Sequence, residues 1–140
     1  NQAPLNVIQV GSAFGYIGYP GFSSYCASKF GLRGFTEALA REYADTSIRF
    51  GYFAPRATHT NINPANVDDM NIALGNAVDS IASVAKAFMI FLNSKKREQV
   101  VGWPEKLFAR INGFIPKLVD NAIQSKLFII KRYLKQSSQP

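Results

Sequence analysis

Three side chains near the amino terminus have the types and spacing needed to move a proton at an oxygen atom. Tyr25 and Lys29 stand four residues apart within a stretch that predicts a helix, so their side chains should share one helical face. A phenol has an ordinary pKa of about 10, and a neighbouring ammonium group favours its ionised form, as acid–base work at neutral pH requires. Ser12 offers a hydroxyl that could hold a substrate carbonyl from a second direction.

The Tyr–Lys spacing is weak evidence alone, because an exposed Tyr beside a solvated Lys occurs in many helices by chance. The flanking residues strengthen it. Ser12 lies in G-S-A-F-G after an apolar run, and Tyr25 opens Y-C-A-S-K-F-G-L-R-G-F-T-E-A-L. A later segment, Y-F-A-P-R-A-T-H-T-N-I-N, follows a second apolar run. Over about residues 7–102, these segments resemble the active-site half of the classical short-chain dehydrogenase/reductase family.

The resemblance implies an α/β fold, namely the C-terminal half of a Rossmann-like, doubly wound parallel sheet with about three strands and flanking helices. It also implies an NAD(P)-dependent oxidoreductase that interconverts a carbonyl and an alcohol. Tyr25 would donate or accept the proton, Lys29 would bind the nicotinamide ribose, and Ser12 would hold the carbonyl. The substrate would be a small molecule, with lipid-like compounds among the options, and the choice between NAD and NADP stays open.

The loop after the second predicted strand carries the remaining residues that the resemblance assigns to the cofactor. Its P-R-A-T-H-T is similar to the family pattern P-G-x-x-x-T, which implies cofactor contacts by Pro55, Arg56, Thr58 and Thr60 in addition to Tyr25 and Lys29. Arg56 departs from the Gly of the pattern, and either an anion-binding or a solvent-facing side chain is open for it. His59, the only His, is interpreted as a surface or hydrogen-bonding residue, and no metal site is predicted.

Apolar periodicity predicts the elements that must position these residues. Strands are predicted at residues 5–11, 47–53 and 99–103, the first of them buried on both faces. A helix is predicted at 24–43 with Ser23 or Ser24 as its N-cap, and its apolar side would carry Phe30, Phe35 and Leu39. Gly11 and Gly15 are interpreted as tight-turn residues.

Two further helical segments are predicted beyond the second strand. Residues 61–80 occupy the place of the family's variable substrate loop, with a helical stretch at 67–74. A stronger helix at 79–95 would begin at Asp79 or Ser80. Its apolar side would comprise Ile81, Val84, Ala85, Phe88 and Leu92.

Composition is typical of one soluble globular domain, with 140 residues, 47% hydrophobic and 18% charged. The single Cys excludes an internal disulfide and fits a reducing cytoplasm, and the longest apolar run is too short to cross a bilayer. The sequence holds no glycine-rich pyrophosphate turn before Ser12. We therefore expect a fragment that is inactive alone and whose first strand has an unpaired edge.

Three regions are predicted: a partial Rossmann-like domain at residues 1–103, a basic amphipathic helical extension at 104–135, and a disordered end at 136–140. The net charge of +7 arises in residues 94–140, which hold ten basic and three acidic side chains. Two apolar helical faces are expected there, Leu107, Phe108, Ile111 and Phe114, then Ile123, Leu127, Ile130 and Leu134.

Two interpretations of this extension stay open. It could lie on an anionic membrane surface at the periphery of the cytoplasm, or it could pack on its own enzyme or a dimer partner. The resemblance implies a homo-oligomer. Nucleic-acid binding is not predicted, because no reading motif accompanies the basic end. The alternative to an enzyme is a non-catalytic remnant or an interaction module that uses the basic extension.

Overall fold

The computed structural model describes residues 5–60 and 65–136. In chain order, its elements are β1 (Leu5–Val10), a 3-10 turn (Ala13–Gly15), α1 (Ser23–Glu42), β2 (Ile48–Ala54), α2 (Ala65–Ala73), α3 (Ile81–Leu92), β3 (Glu98–Val100), α4 (Glu105–Phe114), α5 (Pro116–Gln124) and α6 (Leu127–Gln136). The expected helix at 67–74 corresponds to α2. The first and last four residues, including most of the predicted disordered end, and residues 61–64 lie outside the described residues.

The three strands form one parallel sheet in the order β1-β2-β3, which confirms the predicted architecture. Val10 pairs with Phe53 of β2, and Phe53 pairs with Gln99 of β3. Burial of β1 on both faces was a wrong prediction, since Leu5 and Val10 are exposed. Within the described residues β1 pairs on one side only, so it forms an edge of the sheet.

Helices cover both faces of β2, because successive side chains of a strand point to opposite faces. Tyr52 and Ala54 face the side of α1, where they pack with Tyr16 in a buried cluster. Phe53 faces α3, with its ring centre 5.7 Å from that of Phe91. Phe91 is fully buried, and its position on the inner face of α3 was missing from the predicted apolar side. Two of the residues predicted for that side, Ile81 and Ala85, are exposed.

The two main helices begin differently from each other. Ser80, one of the two predicted candidates, caps α3, with its hydroxyl accepting a hydrogen bond from the Ser83 amide at 3.2 Å. The N-cap of α1 is Phe22 rather than Ser23 or Ser24, and no side chain caps this helix. The Cys26 amide instead donates to the Phe22 carbonyl at 2.7 Å, so the first turn starts one residue earlier than the serine pattern predicts.

The carboxyl-terminal region forms three helices, and their inner side chains complete the core. Ala109 of α4 and Val119 of α5 join the cluster around Tyr16 and Tyr52. Ile130 of α6 is fully buried in a second cluster, which includes Met70 of α2. The second predicted apolar helix is interrupted near residues 125–126, which separate α5 from α6, and Phe114 of the first predicted face points outward. Within the described ranges, no helix combines the length and hydropathy needed to cross a membrane.

Candidate active site

Ser12 lies just beyond the carboxyl end of β1, where the chain turns out of the sheet. It caps the 3-10 turn, and its Oγ accepts a hydrogen bond from the Phe14 amide at 3.2 Å. The turn is fastened to the end of β2 by two backbone bonds, from the Gly11 amide to the Phe53 carbonyl at 2.8 Å and from the Ala13 amide to the Pro55 carbonyl at 3.0 Å. The predicted catalytic Ser and the loop predicted to hold the cofactor are therefore neighbours at the carboxyl ends of β1 and β2.

Tyr25 and Lys29 share one face of α1, as their spacing predicts. The Lys29 Nζ lies 5.4 Å from the centre of the Tyr25 ring. Tyr25 is 43% exposed, and its ring packs edge-to-face on Phe14 with 6.2 Å between ring centres. Because the Phe14 amide also donates a hydrogen bond to Ser12, a single residue of the 3-10 turn contacts both Ser12 and Tyr25.

Phe14 belongs to a larger aromatic group that supports this face of the turn. Its ring stacks on Tyr19 with 5.0 Å between centres, and Phe22 lies 5.4 Å away. Burial raises the pKa of the Tyr19 hydroxyl above its ordinary value. The group packs the loop 16–22 against the start of α1, so the loop that joins Ser12 to Tyr25 is held by side-chain packing as well as by backbone bonds.

Tyr52 of β2 contacts both the Ser12 turn and α1, although sequence analysis assigned it no role. Its hydroxyl accepts a hydrogen bond from the Ser12 amide at 3.3 Å. The same oxygen lies 3.3 Å from the carbonyl of Ser12 and 3.3 Å from that of Lys29. An aromatic residue in a buried strand is usually part of the core, so the sequence gives no signal of these contacts.

Arg56 is an internal ion-pairing residue, so the solvent-facing interpretation is wrong. Its side chain is 14% exposed, and its guanidinium contacts the carboxylates of both Asp79 and Glu105. Hydrogen bonding to Asp79 is the main cause that raises the Arg56 pKa above its ordinary value. The guanidinium therefore faces the protein's own carboxylates. These two acidic partners lie 23 and 49 positions later in the chain, so no local sequence pattern could have indicated the pairs.

The rest of the cofactor-loop prediction falls on a segment that is tied to the start of α3. Thr58 pairs with Asp79 in an isolated parallel bridge, and the amide of Asp79 donates to the Ala57 carbonyl at 2.9 Å. The Thr58 hydroxyl donates to the Arg56 carbonyl at 3.1 Å. Thr60 is partly buried at the end of this segment. These bonds hold the loop backbone in place beside the Ser12 turn.

His59 is a surface residue beside α2. Its side chain is 80% exposed, and its Nδ1 lies 4.0 Å from a carboxylate oxygen of Asp68. The surface interpretation of this residue therefore agrees with its position.

An open cleft of about 520 Å³ lies elsewhere on α1. It is bounded by the loop at Gly18–Pro20, by Cys26 and Phe30 of α1, and by Ile123 of α5. Neither Ser12, Tyr25 nor Lys29 lines it, so the cleft is separate from the predicted chemistry. The Cys26 thiol beside it is buried, and it accepts a hydrogen bond from the Tyr19 amide at 3.4 Å.

The part of the chain that holds the predicted site also matches known proteins. Residues 2–71 match the family model described as short chain dehydrogenase. The 3-oxoacyl-[acyl-carrier-protein] reductase of Bos taurus is 39% identical over 92 residues, which cover 64% of this chain and 38% of the bovine protein. Carbonyl reductase family member 4 of Danio rerio is 36% identical over 91 residues, covering 63% of this chain and 38% of that protein. The chain thus spans well under half the length of these relatives.

Solved structures share the fold. A short chain dehydrogenase from Burkholderia cenocepacia, crystallised in complex with NADP, superposes with a TM-score of 0.67 over 84% of this chain and 46% of that one, at 18% identity. A short-chain dehydrogenase from Streptomyces avermitilis gives a TM-score of 0.63 over 90% of this chain and 51% of that one, at 22% identity.

Proposed function

Because the chain belongs to the short-chain dehydrogenase family, we propose that the whole protein is an NAD(P)-dependent oxidoreductase that interconverts a carbonyl and an alcohol. The observation that carries this proposal is the arrangement around Phe14. Its amide bonds to Ser12, and its ring packs on Tyr25, which shares a helical face with Lys29. An acid–base phenol, a cation and a hydroxyl thereby lie near one another beyond the carboxyl end of β1.

The proton step follows from the chemistry of these three side chains. Tyr25 donates its proton to the carbonyl oxygen during reduction, and takes it back from the alcohol during oxidation. The positive charge of Lys29 stabilises the phenolate that forms when the proton leaves. The Ser12 hydroxyl oxygen accepts a hydrogen bond from the Phe14 amide. Accepting this bond leaves the hydrogen of the Ser12 hydroxyl available for donation to the substrate oxygen.

The position of the loop 55–60 supports a nicotinamide cofactor, either NAD or NADP. Ala13 of the Ser12 turn bonds directly to Pro55, so the loop starts beside this turn at the carboxyl ends of β1 and β2, where ligands bind in open α/β sheets. Lys29 would hold the nicotinamide ribose, while the Thr58 backbone and the Thr60 side chain would hold the carboxamide and the nearby phosphate. Arg56 would act by holding this loop in place. When bound, the nicotinamide supplies or accepts the hydride.

The proposed substrate class is a ketone or secondary alcohol, with lipid-like molecules as the first candidates. Two relatives are named for such carbonyls, the bovine 3-oxoacyl-[acyl-carrier-protein] reductase and the 3-ketodihydrosphingosine reductase of Dictyostelium discoideum. The latter is 42% identical over 55 residues, which cover 39% of this chain and 16% of that protein. We propose that the protein is cytoplasmic and that it forms a homo-oligomer, and the exposed Phe30 and Phe35 on α1 support the oligomer.

The direct test is reduction of carbonyl substrates by the whole protein, followed as consumption of NADH or NADPH. Tyr25→Phe should lower kcat by about 10²–10⁴-fold, because general acid–base catalysis contributes that much. Cofactor binding should stay within a few fold of the unsubstituted protein. Tyr43→Phe is the matched control, since Tyr43 lies at the other end of α1, and this variant should keep near-normal activity. Undiminished turnover in Tyr25→Phe would show that the proton donor lies elsewhere.

A second role, contact with an anionic membrane surface, is supported by the corner between α4 and α5. We define this α4–α5 corner as Phe114, Ile115 and Leu118 with Arg110 and Lys117, all of them exposed. Phe114 is 88% exposed, and residues 106–119 contain three basic side chains and no acidic one. Exposed apolar side chains with cations beside them suit the boundary between acyl chains and anionic headgroups.

Flotation with vesicles tests this second role. The protein should float with phosphatidylglycerol-containing vesicles and stay behind with pure phosphatidylcholine. Phe114→Ser combined with Lys117→Glu should abolish flotation, while Phe128→Ser, which changes an exposed Phe on α6, should keep it. If the corner variant floats as well as the unsubstituted protein, the corner is not the membrane contact. Flotation without any reductase activity would favour the interaction-module alternative.

A further inference from the structure

Tyr52 contacts Ser12 and the backbone of Lys29 at once, and we infer that it is a positioning residue for the proposed reaction. Its hydroxyl would fix how far the Ser12 turn stands from the Tyr25–Lys29 face of α1. The inference rests on the proposed function, because it concerns the geometry of that same site. Tyr52 itself is 1% exposed and lies in the central strand β2, so it is not placed to touch substrate.

The contacts converge on a single oxygen atom. The Ser12 amide donates to it at 3.3 Å, and the phenolic hydrogen has two acceptors, the carbonyls of Ser12 and Lys29, each at 3.3 Å. Ser12 is 40 residues from Tyr52, and Lys29 is 23 residues from it. The hydroxyl thus joins the 3-10 turn and α1 through β2, and no other described side chain bonds to the backbone of both Ser12 and Lys29.

The environment keeps this hydroxyl protonated and fixed. Burial is the largest cause that raises the Tyr52 pKa above its ordinary value, so the phenol remains a donor throughout the neutral range. Its ring packs edge-to-face against Tyr16 with 5.9 Å between centres. The Tyr16 hydroxyl in turn donates to Glu98 at 2.8 Å, which anchors that neighbouring ring to β3.

Gly11 and Gly15 make room for Tyr52, which corrects their interpretation as tight-turn glycines. The glycines with a positive φ are Gly21, Gly75 and Gly102, so neither Gly11 nor Gly15 is required for turn geometry. A Cβ at Gly11 would overlap the Tyr52 ring itself. A Cβ at Gly15 would overlap the hydroxyl oxygen, but would lie 3.2 Å from the ring carbon that carries it and 3.0 Å from the Lys29 carbonyl oxygen.

This difference between the two glycines gives a specific test. Tyr52→Phe in the whole protein should lower kcat about tenfold, while KM for the cofactor changes less than twofold. Gly15→Ala should also lower kcat, and adding Tyr52→Phe to it should restore part of the loss, because the clashing oxygen is gone. Gly11→Ala should not be relieved by Tyr52→Phe, since its clash is with the ring. Gly18→Ala, in open space within the same loop, is the control.

Amide hydrogen exchange gives a readout that does not need activity. The Ser12 amide should exchange about tenfold faster in Tyr52→Phe, because its acceptor has been removed. Unchanged exchange of Ser12, or a kcat within twofold of the unsubstituted protein, would overturn the positioning role. An unsubstituted protein without reductase activity would overturn the proposed function instead, which the exchange experiment distinguishes.

Discussion

Arg56 and Asp79, which are 23 residues apart in the sequence, form a bidentate ion pair. The Arg56 Nε lies 2.9 Å from one carboxylate oxygen of Asp79, and Nη2 lies 2.7 Å from the other. The remaining nitrogen, Nη1, donates to the Trp103 carbonyl at 2.8 Å and to Glu105 at 3.2 Å. One guanidinium thus joins the loop after β2, the segment before α3, and the start of α4.

Arg56→Ala should strongly destabilise the protein, because it leaves two largely buried carboxylates without their cation. Breaking such a pair costs about 3–5 kcal/mol, and the partial exposure of Glu105 places the expected loss of unfolding free energy near the lower end, at about 3 kcal/mol. Urea denaturation measures this loss. Arg41→Ala removes the exposed pair with Glu37 on α1 and should cost no more than about 0.5 kcal/mol. Equal losses in the two variants would contradict the importance of the Arg56 pairs.

Ser80→Ala should lower the free energy of unfolding by about 1 kcal/mol, because the Ser83 amide loses its capping acceptor. Ser80→Gly should lower the free energy of unfolding by only a few tenths of a kcal/mol. Ser28→Ala is the matched control, since the exposed Ser28 hydroxyl bonds within α1 to the Tyr25 carbonyl and caps nothing. A Ser80→Ala variant as stable as Ser28→Ala, measured by the same urea titration, would show that the cap contributes little.

Stability should fall at high pH because of Tyr16. Burial first, and then the hydrogen bond to Glu98, raise the pKa of Tyr16 above its ordinary value of 10.0. The folded protein therefore holds this proton to higher pH than the unfolded chain does. The resulting stability is fully present below about pH 10 and is lost as the pH rises beyond it.

Urea titrations between about pH 9 and 11 measure this loss as the slope of unfolding free energy against pH. Tyr16→Phe should make the slope shallower. Tyr43→Phe should leave it unchanged, because the Tyr43 side chain is exposed at the end of α1. A slope for Tyr16→Phe that matches that of the unsubstituted protein would exclude Tyr16 as its source.

The isolated 140-residue chain should aggregate or fail to bind NADH and NADPH measurably. Within the described residues β1 pairs with β2 alone, and Leu5 and Val10 at its two ends are exposed. An open apolar strand edge is a template for pairing with other chains. Light scattering and calorimetric titration with each cofactor test this expectation. Micromolar binding by a monodisperse chain would contradict it.

The amino-acid sequence by itself determined the local features of this protein. The shared face of Tyr25 and Lys29 follows from helical periodicity, and the Ser80 cap follows from the preference of a hydroxyl for a helix start. The first strand was predictable because a Val- and Ile-rich run followed by turn residues needs no distant partner to be identified, and the parallel three-strand sheet followed from the family resemblance. Family membership followed from contiguous motifs.

Only the tertiary structure decided which distant residues meet at the site. The Tyr52 contact with Ser12 depends on the register of β1 against β2, and the Arg56 partners depend on how α3 and α4 pack at the end of the sheet. The outward Phe114 and the inward Phe91 were likewise decided by packing, since an apolar residue type does not specify which neighbour will cover it. Long-range pairing leaves no periodic trace in a single sequence, and therefore local patterns could not reveal these contacts.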